Sequence, residues 1–233
     1  MAPMPSTARE RARAELTEEI KAAARKQLAE GGAASISLRA VARDLGMVSS
    51  AVYRYFASRD ELLTALVVDA YEAVAAAAEA AAGDKRGGVR ARWLRVAKAI
   101  REWAKANPHD YALVYGSPVP GYQAPAETIP PALRVSMVAL DLVREGYESE
   151  EIIEHGEWPA ARPVRLDLAD LRRAVAPGVP DEILSRALLV WTQLFGTISF
   201  ELFGHFNNVI HDGDAFFEDQ MRRTTKLLVA GTL

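Results

Sequence analysis

Apolar residues recur at three- and four-residue intervals along most of this chain, and no stretch shows a convincing two-residue alternation, so the pattern predicts an all-α protein without strands. The most telling stretch is SLRAVARDLGMVSSAVYRYFASR, residues 37–59. Leu38, Val41, Ala42 and Leu45 fall at i, i+3, i+4 and i+7, one buried stripe that leaves Arg39, Arg43 and Asp44 outside. Ser37 is placed to cap this short helix, and Gly46 stands where it must end in a left-handed conformation. Met47 and Val48 are expected to fill the turn with apolar packing. Ser49 then caps a second helix on which Val52 and Phe56 face inward, while Ser50, Ala51, Tyr53, Arg54 and Tyr55 are spread over the other faces. Two short helices joined by a glycine turn, the second rich in polar and aromatic side chains, form a helix-turn-helix suited to the major groove of DNA.

The remaining elements follow from the same reading. Ser58 opens a longer helix with Asp60 and Glu61 in its first turn, running to about Ala82 and the Gly83–Gly88 loop. A helix from Val89 to Ala106 carries Trp93, Val96, Ala97, Ile100 and Trp103, and Asn107-Pro108 stops it and starts a short one bearing Tyr111, Leu113, Val114 and Tyr115. SPVPGYQAPAETIPPA reads as a loop, Ile129–Gly146 as an amphipathic helix with Leu133, Met137, Leu140 and Val143 apolar, and 147–165, with five glutamates and two prolines, as a long lid-like connection. After a short helix over 166–175, two closing helices are expected. The first, opened by Pro180-Asp181 and carrying Ile183 through to Phe206, is apolar over more than one face and needs a second partner; the last spans about 214–229.

Charge divides the chain in the same place. Residues 1–60 hold ten Lys/Arg against seven Asp/Glu, whereas the whole chain carries a formal charge of −3, so the basic end is the one to face phosphates. Arg9, Arg11 and Arg13 suit either a flexible arm toward DNA or a basic leader without contact. At 233 residues the chain has room for a second, larger domain. It has no cysteine, which removes thiolate chemistry and disulfides. No apolar run reaches the ~18 residues of a membrane span and no signal peptide is evident, so no membrane partner is expected. His109, His155, His205 and His211 show no metal-binding spacing, and neither a nucleophile elbow nor a phosphate-binding glycine loop occurs, so neither catalytic nor metal sites, nor a cofactor, are expected.

The run LTEEIKAAARKQLAEGGAASISLRAVARDLGMVSSAVYRYFASRDELL resembles the DNA-binding domain of the tetracycline-repressor (TetR) family of bacterial transcription regulators, above all in SSAVYRYF followed by SRDELL. The resemblance implies a basic arm over 1–14, a helix-turn-helix domain over 15–60 and a ligand-binding and dimerisation domain over 61–233. It places Ser49, Ser50 and Ala51 near base edges, Tyr53 and Tyr55 on the phosphate backbone, and Arg59 as a backbone clamp, and Ser37, Arg39 and Arg54 are further candidates for DNA contact. It extends loosely to WTQLFGTISFELFGH and implies a homodimer in which the two last helices pair with their copies through Leu188, Phe195, Ile198, Leu202, Phe206, Phe217, Met221 and Leu228; these residues equally suit a monomer core. A small hydrophobic or aromatic effector would sit among Trp93, Trp103, Tyr111, Tyr115, Met137 and Trp191, which are also what a core would use. The expected role is a cytoplasmic, nucleoid-associated repressor released from a near-palindromic operator. An effector-independent architectural DNA-binder is the alternative, and a small-molecule-binding enzyme a more distant one.

Overall fold

A computed structural model describes residues 7–154 and 161–229. Among them the chain is helical without strands: α1 Ala8–Gly31, α2 Leu38–Asp44, α3 Ser49–Val52, α4 Arg59–Gly83, α5 Gly88–Ala106, α6 Pro108–Tyr115, α7 Ile129–Glu148, α8 Arg162–Val175, α9 Asp181–Leu202 and α10 Gly213–Leu228. They group into two compact units, one of residues 1–70 with 109–129 and one of 71–108 with 130–233. The expected head of 15–60 falls within the first unit, which also takes in the start of α4 and the α6 segment.

In the first unit Ile20, Ala24 and Leu28 of α1, Leu38, Val41 and Ala42 of α2, Val52 and Phe56, and Leu62, Leu63 and Leu66 of α4 make one buried cluster. Leu113, Val119 and Tyr122 pack against it, and Tyr122 shares a 2.9 Å hydroxyl hydrogen bond with Thr64. Ion pairs tie the same elements: Asp69 of α4 receives Lys21 at 2.8 Å and Arg25 at 2.6 Å, both from α1. Burial pulls the Lys21 pKa down, but the hydrogen bonds and charges of Asp69 and Glu18 outweigh it and raise the pKa overall.

Arg9, Arg11 and Arg13 are not in an arm. Thr7 accepts a hydrogen bond from the Glu10 N–H while the Glu10 carboxylate accepts one from the Thr7 N–H, a capping box that starts α1 at Ala8. Residues 1–6 of the expected arm lie outside the described residues. The expected connection over 147–165 is also shorter, because α7 continues to Glu148 and α8 starts at Arg162; 155–160, with His155, lie outside the described residues.

The second unit is held at its centre by an arginine. Arg101 of α5, 5% exposed, donates two hydrogen bonds of 2.6 and 2.7 Å to Glu201 of α9, reaches Asp214 of α10 at 2.7 Å and stacks over Phe217 at 4.8 Å. Glu201 chiefly, together with Asp214, raises its pKa against the opposing effect of burial. Around this tie Val96, Ala97 and Ile100 of α5, Ile183, Leu184, Val190, Leu194 and Ile198 of α9, and Phe217, Met221 and Leu228 of α10 are buried.

That packing corrects the expected dimer surface. Ile198, Phe217, Met221 and Leu228 are consumed by the core of their own unit, Phe195, Leu202 and Phe206 are half-buried, and only Leu188 is exposed. Phe206 lies beyond the helix. Gly204, at φ +79°, ends α9 as the His205 N–H bonds back to Phe200 and the Gly204 N–H to Glu201. Beside Leu188, the solvent-facing stripe of α9 and its C-cap residue consists of Leu189, Thr192, Gln193, Gly196, Phe200 and Phe203. α9 is long and apolar enough by composition for a membrane span, yet its opposite stripe is packed inside this unit.

Because Arg101 keeps little solvent, Glu201→Ala should lower unfolding free energy by ~2 kcal/mol by leaving the buried cation only Asp214, the more exposed of its two carboxylates, and Glu201→Gln, which preserves an acceptor, should cost less. Urea denaturation of the three proteins checks the order.

Candidate nucleic-acid interface

The helix-turn-helix is built as the apolar spacing demands. At the end of α2 the Met47 N–H bonds to the Ala42 carbonyl at 2.8 Å and the Gly46 N–H to Arg43 at 3.1 Å. This terminator requires a left-handed residue between them, and Gly46 has φ +65°. Met47 packs on the core of the first unit, as expected. Val48 does not: it is 71% exposed. The segment after it is a short helix, α3, continued by turns in which the Phe56 N–H bonds to Val52, so that Val52 and Phe56 reach the core together.

Neither serine expected as a cap acts as one. Ser37 stands at the start of α2 and Ser49 inside α3, after Val48, and neither helix has a side-chain cap hydrogen bond. The Ser37 N–H is instead satisfied from α1: Gln27, 8% exposed, accepts from it at 3.1 Å and donates to Asp44 at the far end of α2 at 2.8 Å. The Gln27 carbonyl also accepts from the Ser35 hydroxyl at 2.9 Å. One buried amide therefore fixes both ends of α2 on α1. Nothing in the apolar periodicity signals it; a glutamine on a buried helical stripe is the sole hint.

Arg59 is engaged in the same way. Its guanidinium donates to the carbonyls of Ala33 at 2.9 Å and Ile36 at 3.2 Å and lies 3.5 Å from Asp60, so it holds the α1–α2 connection against the start of α4. This departs from the expected phosphate clamp, since the donors aimed at backbone oxygens are not free for phosphate. Ser58 does cap α4, accepting from the Glu61 N–H at 3.1 Å while the Glu61 carboxylate accepts from the Ala57 N–H at 2.6 Å.

What remains outward is a small set. Ser50, Tyr53 and Arg54 on the reading segment are exposed, as are Arg39 and Arg43 on α2. Among the described residues Arg39, Arg43 and Arg54 make no ion pair, which leaves their charge available to an anion. Ser37, Ser49 and Ala51 are half-buried. Tyr55 is half-buried too, packed against the core, with the Arg13 guanidinium 5.1 Å from its ring centre.

The second unit contains a cavity of about 210 Å³ whose walls include Trp93, Ser136, Met137, Leu140, Leu171 and Trp191. Trp93, Met137 and Trp191 are thus brought together as expected. Trp103 lies on α5 away from these walls, and Tyr111 and Tyr115 belong to the first unit, their rings 5.1 Å apart. The Trp93 indole N–H is buried without a hydrogen-bond partner among the described residues. Among the described residues no cluster of His, Asp and Glu has the arrangement of a metal site.

The chain matches two family descriptions, "Bacterial regulatory proteins, tetR family" over residues 20–66 and "Tetracyclin repressor-like, C-terminal domain" over 93–224. HTH-type transcriptional regulators of Mycobacterium tuberculosis and Mycobacterium bovis are 40% identical to it over 225 residues, 94% of this chain and 93% of theirs. Among solved structures, SCO4313, described as a regulatory protein, is 34% identical with a TM-score of 0.78 over 94% of this chain and 98% of its own. The fold is shared with the TetR family transcriptional regulator PfmR of Thermus thermophilus, at 19% identity and a TM-score of 0.55 over 90% of this chain and 96% of that one.

The two arginines of the head should separate cleanly. Arg59→Ala should lower the melting temperature and weaken DNA binding without altering its salt dependence. Arg54→Ala should leave melting unchanged and reduce the slope of log K against log salt by about 0.9, the loss of one phosphate contact. Thermal unfolding and DNA titrations at several salt concentrations give both quantities.

Proposed function

Since the chain belongs to the tetR family of bacterial regulatory proteins, whose members are DNA-binding transcriptional regulators and not enzymes, we propose that it is a cytoplasmic dimeric repressor with an inducer. Two copies of the reading segment enter successive major grooves of a near-palindromic operator, and a small, uncharged, largely aromatic effector releases them. The observation that carries the DNA side is the outward set of Ser50, Tyr53, Arg39, Arg43 and Arg54, which offers hydroxyls for base or phosphate contact together with cations that make no ion pair among the described residues. The net charge of −3 does not oppose this, because fields fall off over ~8 Å at physiological salt and the head carries its own positive balance.

Two further observations support the finer parts of the reading. The exposed stripe of α9 places Leu189, Phe200 and Phe203 in solvent around Gly196, where an added Cβ would meet open space, and such a surface suits close approach of a second copy about a two-fold axis. The cavity is smaller than the ~300–1,000 Å³ of most ligand sites, apolar apart from Ser136 and the unpartnered Trp93 N–H, and so matches a compact neutral ring with one acceptor. α4 contributes to both units, and the chain returns to the first at 109–129, so effector binding has a continuous chain through which to change head spacing.

The experiment is selection of bound sequences from a random duplex library, with the complex sized by light scattering. An enriched inverted repeat occupied by a dimer is expected, and Phe200→Glu should bind as a monomer and lose most of the affinity. Binding without sequence enrichment, disappearing as salt rises, would remove the regulator reading.

The cavity has its own test. Ala187→Leu, which fills part of it, should bind the selected operator as tightly as the unaltered protein. It should also lose the thermal stabilisation that small neutral aromatics such as indole confer. Equal stabilisation of both proteins would place the effector elsewhere.

A further inference from the structure

Among the described residues Val48 is the most exposed of the large apolar side chains, and it sits on the reading head between the core-packed Met47 and the serines at 49 and 50. Two local preferences are broken there at once. A residue immediately before a helix ordinarily supplies a hydroxyl or carboxylate to its free N–H groups, whereas Val48 has none, and the segment after it has no side-chain cap. An apolar side chain with a packed neighbour would ordinarily turn inward, yet Val48 takes no part in the apolar cluster of the first unit. Breaks in local consistency of this kind concentrate where a surface has a task.

Resting on the DNA-reading function proposed above, we propose that Val48 is a specificity-determining residue that reads the C5-methyl group of a thymine in each half-site. The major-groove edge of a base pair presents hydrogen-bond donors and acceptors, and its one apolar group is that methyl. The same helix-turn-helix supplies the rest of what the groove needs: the exposed Ser50 hydroxyl for base edges and the exposed Arg39, Arg43 and Arg54 for the backbone. A β-branched side chain has few rotamers to lose on contact, so an exposed valine is ordered for this at little entropic cost. Contact would withdraw both methyl-bearing surfaces from water, and a polar residue at 48 would gain nothing from the thymine methyl.

The test uses the full-length protein and the operator recovered by library selection, with each thymine replaced in turn by deoxyuridine, which removes only the C5-methyl. The unaltered protein should lose about four-fold in affinity at one thymine per half-site, the worth of one buried methyl. Val48→Ala should bind the parent operator more weakly and be indifferent to uracil at that same position, while melting at the temperature of the unaltered protein. If the protein selects a defined operator but no uracil position distinguishes it from Val48→Ala, the methyl contact is wrong and the regulator reading stands. That includes a uniform loss in Val48→Ala, the signature of contact with sugar. Absence of any enriched sequence would instead bring down the DNA-reading function, and this inference with it.

Discussion

A helix of fewer than about a dozen residues is marginal in water, and the reading segment has far less than that in regular helix, so its pose must be imposed from outside. Burial of Val52 and Phe56 supplies the attraction, but apolar contact is non-directional and would tolerate several orientations. Orientation comes from polar groups that accept one arrangement: the Gln27 amide at both ends of α2, the Gly46 terminator, and the Arg59 guanidinium on two carbonyls of the preceding connection. Each satisfies backbone or side-chain groups that would otherwise lie partly desolvated and unmade, and such groups are costly to abandon. A reading head held this way can leave Arg39, Arg43, Arg54, Tyr53 and Val48 in solvent, because none is needed to keep it folded.

The second unit meets a different demand. α9 is too apolar for one buried stripe, and its inner side is occupied by α5, α8 and α10 around the Arg101–Glu201–Asp214 tie. A buried arginine joined to two carboxylates is rarely the most stabilising choice, since well-packed apolar residues often do as well or better. What it adds is register. The bidentate geometry with Glu201 fixes the rotation of α9 about its axis, and with it which residues face out. Rotated about its axis by one residue, α9 would turn the stripe of Leu189, Gly196, Phe200 and Phe203 away from solvent, so the inner salt link sets the outer surface.

Much of this was legible in the sequence, for identifiable reasons. Helix existence followed from periodicity, and helix ends followed wherever a glycine had to adopt positive φ or a proline had to open a helix, as at Gly46 and Pro108. The exposed Ser50, Tyr53 and Arg54 followed from the same wheel that buries Val52 and Phe56. Three things did not follow. Gln27 and Arg59 act through contacts with residues distant in the sequence, and periodicity describes one helix at a time. The outward face of α9 was misassigned because a helix apolar on several sides gives the periodicity no preferred direction; Ile198 and Phe200 are equally apolar, and only packing separates them. Tyr111 and Tyr115 join Trp93 in the pocket that the resemblance implies, whereas the chain leaves the second unit at 108 and returns only at 130, a path that no local pattern signals.

In the proposed function, that excursion bears on how an effector in the second unit would act on the head. Leu113, Val119 and Tyr122 complete the core of the head, and Tyr122 is bonded to Thr64 of α4, which also presents Leu62, Leu63 and Leu66 to that core. The head is therefore not a module cut at residue 60 but one whose packing includes residues 109–129, tethered at both ends to the unit that contains the cavity. Coupling between sites requires an element that both sites bias, and in the proposed function a segment tethered at both ends inside the core of the head is placed to be that element more directly than a single linker. A shift of either tether acts on the same cluster that seats Val52 and Phe56, and hence on the residues in front of them. Since interiors are close-packed, such a shift is transmitted as displacement rather than absorbed as compression. In the proposed function, regulation then needs no change in the reading residues themselves: altering the floor on which they stand is sufficient.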